Sequence, residues 1–222
     1  MAVSRLVGTP VPRREDRRLL LGQARFVADL TAPRMLHMAL VRSTHAHAVI
    51  TGIDTRIAAV IPGVLRILTG AELAECIGPM PSIDLAGPGK AALHRALAVE
   101  RVRYVGEPVA AVIADDPGRA EDAAALVTVA YRDLPVLLDA EQAAATSPPI
   151  LLYEGLGTNV IHTCHQNVGD TNAAFASAHR IFDDSFRIHR YIAAPMETRG
   201  VLADPTAQDG RVTLYSLSLI HI

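Results

Sequence analysis

The stretch RVRYVGEPVAAVIADDPGRAEDAAALVTVAYRD, residues 101–133, decides the fold. Apolar residues dominate 101–105 and 109–114, and Gly106-Glu107-Pro108 separates them. Glycine frees the backbone for a turn, and proline removes a ladder donor. The two segments therefore read as a pair of strands joined by a tight turn. Asp116-Pro117 then opens a helix, with proline tolerated at its first position. Ala120, Ala123, Ala124 and Val127 follow at i, i+3, i+4 and i+7 and line one face. Val127, Val129 and Tyr131 next alternate as a strand. The whole is a strand–helix–strand unit over 109–131.

Working toward the N-terminus, a second such unit spans 48–68. A strand at 35–42, apolar on both faces, precedes it and is expected to be covered on both sides. The unit itself begins with a strand at 48–53. Asp54 is the expected N-cap of a short helix over 55–60, which Pro62-Gly63 ends. A strand returns over 64–68. Thr69 and Glu72 have capping-box spacing, so a helix should run to Cys76. Residues 77–90, rich in proline and glycine, read as a long loop. Residues 1–18, polar and arginine-rich, read as an irregular leader.

Toward the C-terminus, 136–149 reads as a linker. Strands are then expected over 160–168, 181–191 and 200–204. Asp170 should cap a helix with Ala174, Phe175 and Ala178 facing inward. Asp209-Gly210 reads as a hairpin turn before a strand over 212–215. After Ser216 the chain ends on Leu-Ser-Leu-Ile-His-Ile, an apolar finish that suggests truncation. The pattern is α+β, with one domain over 19–135 and an incomplete second one over 150–222.

Composition excludes several classes. Half of the 222 residues are hydrophobic and 20% are charged, which is globular usage. Lys plus Arg number 21 against 23 Asp plus Glu, so no charge excess argues for nucleic acid or an anionic membrane. The absence of a long apolar run argues against a membrane span. Cys76 and Cys164 are far apart and lack a CxxC, so the chain reads as cytoplasmic.

Candidate chemistry is sparse. His45 and His47 share one face of an extended segment, and His162, Cys164 and His165 cluster. Neither group supplies the four ligands that zinc wants, so both read as structural or surface groups. Ser43-Thr44-His45 lacks a third group to orient the histidine for a triad. Residues 13–18 alternate acids and bases and read as a self-neutralising surface network. No glycine-rich phosphate loop occurs. In Pro195-Met196-Glu197-Thr198-Arg199-Gly200, Glu197 and Arg199 could form a buried pair or face a polar cofactor.

Taken in order and spacing, several strings resemble the molybdenum hydroxylase large subunits of the xanthine dehydrogenase, aldehyde oxidase and carbon monoxide dehydrogenase family. They are Pro12-Arg13-Arg14-Glu15-Asp16, Arg25-Phe26-Val27-Ala28-Asp29-Leu30, and the run from Leu36 through Ser43 to His45-Ala46-His47-Ala48. Pro62-Gly63-Val64, Leu68-Thr69-Gly70-Ala71-Glu72-Leu73, Val102-Arg103-Tyr104-Val105-Gly106-Glu107-Pro108-Val109-Ala110, Ala120-Glu121-Asp122-Ala123-Ala124 and 195–200 complete the set. The resemblance implies an α/β-hammerhead domain over 19–135, followed by the truncated start of the molybdopterin-binding domain. It implies an oxidoreductase that hydroxylates an aldehyde or heteroaromatic, or oxidises carbon monoxide. The implied cofactor is molybdenum-molybdopterin in its cytosine dinucleotide form. FAD would sit on a medium subunit and 2Fe-2S centres on a small one, in a dimer of heterotrimers.

In the family the strand equivalent to 212–216 runs into Ser-Thr-Gln, and here the pattern departs after Ser216. The catalytic glutamate near the family's C-terminus has no counterpart in this sequence. No catalytic residue is therefore assigned, the chain alone is expected to be inactive, and Glu197 and Arg199 are the near-cofactor candidates. The alternative is a non-catalytic hammerhead-type binding or assembly module.

Overall fold

The computed structural model describes residues 8–80, 94–205 and 210–217. Residues 1–7 of the expected leader, most of the expected loop at 77–90, Asp209 of the expected turn and the last five residues lie outside that set. Contacts group the chain into two compact units: residues 34–182, and residues up to 33 together with those from 183 onward.

The unit over 34–182 contains β1 (His37–Arg42), β2 (Ala48–Asp54), α2 (Arg56–Ala59), β3 (Val64–Thr69), α3 (Gly70–Cys76), β4 (Arg101–Val102), β5 (Pro108–Ala114), α4 (Pro117–Ala125), β6 (Thr128–Asp133), α5 (Ala140–Ala144) and α6 (Thr171–Ser177). Among the described residues its six strands form two antiparallel sheets, ordered β1-β5-β3 and β4-β2-β6. The first helix of the chain, α1 (Asp16–Leu20), and the hairpin β7 (Val201–Asp204) with β8 (Thr213–Ser216) belong to the other unit.

β5 is the centre of the unit. Val109, Ala110, Val112 and Ala114 are fully buried, and Ala111 nearly so. An apolar run of this length suits a strand covered on both faces. Val112 packs with Ala58, Ala123 and Val127, which joins α2 and α4 to the first sheet. Ala48, Ala98, Val102 and Val109 form a second cluster, and Ile53 and Val129 pack against both. The core is thus continuous from one sheet to the other.

Local signals in the sequence match local structure. Asp116 accepts the Arg119 N–H at 3.1 Å, and Pro117 opens α4. Thr69 and Glu72 cap α3 reciprocally, with the Thr69 N–H donating to Glu72 Oε2 at 2.8 Å. Those bonds hold the Glu72 carboxyl below its usual range. Asp54 ends β2 rather than capping α2, where Thr55 takes the cap position. Its carboxylate still accepts the Arg56 N–H at 3.0 Å and binds the Arg56 guanidinium at 2.6 Å.

Pairing differs from expectation. Residues 101–105 and 109–114 are not a strand pair: β4 has only two residues and pairs with β2, whereas β5 lies between β1 and β3. The turn between them docks elsewhere. Gly106, at φ 88°, donates its N–H to Ser43 O at 2.7 Å, and Glu107 O accepts the Ser43 N–H at 2.9 Å. The chain thereby leaves one sheet and enters the other. For the same reason the two strand–helix–strand units do not return to one sheet. Each crosses between sheets, β2-α2-β3 in one direction and β5-α4-β6 in the other. β1 is an edge strand, and Met38 is 64% exposed rather than covered.

Residues 160–168 and 181–191 form no strand. Their backbone finds no ladder partner among the described residues, and an extended segment without one is not a sheet element. Phe182, Phe186 and Ile188 are more than 80% exposed. Asp170 caps α6 as expected, but Phe175 on that helix is exposed rather than inward-facing. The short helix α5, capped by Asp139, lies inside the stretch read as a linker. β7 and β8 pair as the hairpin pattern implies.

Candidate functional site

Residues 195–200 lie ahead of β7. Glu197 and Arg199 do not form the buried pair that their spacing allowed. Arg199 is exposed and Glu197 half-buried. The Glu197 carboxylate instead accepts the Val27 N–H at 2.9 Å, across 170 residues of sequence. Val27 opens a single 3-10 turn, Val27–Asp29, whose Asp29 carboxylate accepts the Phe26 N–H at 3.0 Å. Gly200 belongs to the same contact. A Cβ there would lie 2.8 Å from Val27 Cγ1, so the absent side chain makes room for the valine.

Glu197 is thus a brace between an early turn and the strand hairpin. Glu197→Ala should destabilise this unit by about 1–2 kcal/mol, because Val27 loses a charged acceptor. Glu197→Gln keeps an acceptor oxygen and should cost about half as much or less. Amide exchange at Val27 reads both: protection lost in the alanine variant and largely kept in the glutamine variant is the expected result.

The other candidates are structural in their geometry. His47 is buried, with Nδ1 2.7 Å from Pro135 O. His45 lies against the Tyr131 ring, 4.3 Å between centroids, with Nε2 3.5 Å from Asp133. The Ser43 hydroxyl is used within its own turn, donating to His45 O and accepting the His45 N–H. His162, Cys164 and His165 are exposed. Among the described residues no group of three or more His, Cys, Asp or Glu could hold a metal ion. Cys76 and Cys164 are free and exposed. Arg13 pairs with Asp16 at 3.1 Å in the N-terminal charged run.

A cleft of about 250 Å³ that was not among the expected sites lies in the 34–182 unit. Arg95, Arg101, Arg103, Glu100 and Glu107 are in its wall, with His94. Glu107 is 3% exposed and its carboxylate accepts the Arg103 N–H. Segment 152–154 is gripped residue by residue. Arg103 Nε donates to Leu152 O at 2.7 Å, and its guanidinium lies 4.2 Å over the Tyr153 ring. Arg101 pairs with Glu154 at 3.1 Å. Burial pushes the Tyr153 phenol up, Arg103 opposes that shift, and Glu107 adds to it. A sequence signal existed. Arg101 and Arg103 stand two apart in an extended stretch, which puts them on one face.

Comparison with known proteins adds the family. The description "Aldehyde oxidase and xanthine dehydrogenase, a/b hammerhead domain" matches residues 21–135, and "Molybdopterin cofactor-binding domain" matches residues 152–221. The chain is 40% identical to the 6-hydroxypseudooxynicotine dehydrogenase complex subunit gamma of Paenarthrobacter nicotinovorans, over 97% of this chain and 27% of that protein. It is 36% identical to the carbon monoxide dehydrogenase large chain of Afipia carboxidovorans, over 94% of this chain and 27% of that one. Quinoline 2-oxidoreductase from Pseudomonas putida 86 superposes with a TM-score of 0.80 at 35% identity, over 94% of this chain and 26% of the other. The chain spans about a quarter of the length of these relatives.

Proposed function

The chain belongs to the aldehyde oxidase and xanthine dehydrogenase family, and from that premise we propose that it serves in a molybdenum-dependent oxidoreductase large subunit. We assign the hammerhead domain to 19–135, a linker to 136–149 and the opening of the molybdopterin-binding domain to 150–222. The matched stretches 21–135 and 152–221 support that division. The observation that carries the reading is the pair of three-stranded sheets linked by α2 and α4, in a chain that superposes over 94% of its length on quinoline 2-oxidoreductase.

The parent enzyme's reaction is hydroxylation of an aldehyde or a heteroaromatic, or oxidation of carbon monoxide. Its partners are an FAD-binding medium subunit and an iron–sulfur small subunit, and the pterin carries a cytosine nucleotide. The relatives named as a complex subunit gamma and a large chain support a multi-subunit setting. A cytoplasmic location belongs to the same proposal. Among the described residues no helix is long and apolar enough to cross a membrane.

The described residues do not make a cofactor cradle by themselves. Molybdopterin is an anionic, polar group that needs several convergent donors. At 195–200 the chain offers one exposed guanidinium, Arg199, and a carboxylate already engaged by Val27. Arg199 is the residue we propose to face the cofactor, with Glu197 holding the backbone that presents it. No residue here is assigned a catalytic role.

The test compares the 222-residue chain with the product of the whole reading frame that encodes it. Molybdenum content, nucleotide released by acid and dye reduction by quinoline, benzaldehyde and carbon monoxide are measured for both. Stoichiometric molybdenum and turnover in the longer product alone is the expected result. A longer product without molybdenum would leave the assembly-module reading, and turnover by the 222-residue chain would overturn the inactivity proposed for it.

A further inference from the structure

We propose that the cleft walled by Arg95, Arg101 and Arg103 is a binding site for a small oxyanion, a phosphate or a carboxylate group. Arg95 Nη1 carries the argument. It is buried and, among the described residues, has no hydrogen-bond partner. A buried, charged donor left unsatisfied is costly, and an acceptor supplied by a ligand removes that cost. The charges around it agree. Three guanidiniums face two carboxylates in the wall. Glu107 is occupied with the Arg103 N–H, and Arg101 is held by Glu154.

Arg103 is preorganised in the way that oxyanion recognition favours. Its Nε is fixed on Leu152 O and its guanidinium carbon lies over the Tyr153 ring, so the terminal N–H groups start from an ordered position. The size also discriminates. About 250 Å³ lies just under the range of drug-sized ligand pockets, so it admits a phosphate or a small carboxylic acid rather than a dinucleotide.

The experiment uses the unaltered 222-residue chain. Phenylglyoxal modification of individual arginines is followed by mass spectrometry in chloride, inorganic phosphate and malonate at matched ionic strength. Arg95 should be protected about fivefold or more by the ligand anion, since occupancy hides the reacting guanidinium, while exposed Arg13 is unaffected. Protection by phosphate alone identifies a phosphate-bearing ligand, and protection by malonate identifies a carboxylate. Arg95→Met should then weaken binding about tenfold, measured by calorimetry, the loss expected for one charge-assisted bond. Equal reactivity of Arg95 in all three anions overturns the proposal, whether or not the variant folds.

Discussion

Replacing Gly70 with alanine is expected to destabilise the 34–182 unit by about 3 kcal/mol, at the upper end of overpacking costs. Gly70 is the first residue of α3 and is buried. A Cβ there would sit 2.0 Å from Ala98 O, 2.7 Å from Ala98 C and 3.1 Å from Leu97 O. All three atoms are backbone, so no side chain can swing aside. Retreat of residue 98 is also opposed, because its N–H donates to Pro108 O at 2.8 Å and its methyl lies in the core cluster with Val109. Alanine's better helix propensity returns about 1 kcal/mol at most. The clash therefore wins. Hydrogen exchange of the β5 amides in wild type and variant measures the difference, and a change below about 0.5 kcal/mol, the level of an ordinary surface substitution, would refute the close-packing argument.

Glu107→Ala should cost about the same, roughly 3 kcal/mol. Its carboxylate is almost wholly buried and takes the Arg103 N–H, within a wall that carries three arginines. Removing it strands a backbone donor and leaves the cations less compensated. Glu107→Gln keeps an acceptor and the volume, so about 1 kcal/mol is expected. The pair has a second readout. The Glu107 charge helps to raise both the Tyr104 and Tyr153 phenols, after burial, which is the larger cause. Loss of that charge should let both ionise at lower pH, and absorbance at 295 nm during an alkaline titration of Glu107→Gln reports it. An unchanged titration together with full stability would show that the carboxylate is not coupled to this cleft.

Both residues act through contacts with chain far away in sequence. Gly70 was legible as part of a capping box, but its contact is with a residue 28 positions away. Glu107 was legible as part of a turn, but not as the buried carboxylate of an arginine-lined cleft. Arg101 and Arg103 share a face by their spacing, but that Arg95 and Glu107 join them in one cleft is set by the tertiary structure.

By itself the sequence determined what depends on neighbours a few residues apart. The α3 box at Thr69 and Glu72, the α4 cap at Asp116-Pro117 and the apolar strand run of β5 were all readable, because caps and apolar patterns act within one or two turns of chain. The ordered strings from 12 to 200 were likewise enough to point to the family. Tertiary structure alone decided which strands pair, since a two-residue β4 and a seven-residue β5 have no intrinsic preference for each other. It decided that Glu197 meets Val27 rather than Arg199, and that the apolar residues of 181–191 lie uncovered. Such contacts are set by where distant segments come to rest, and burial and ladder partners are properties of that arrangement rather than of the residues themselves.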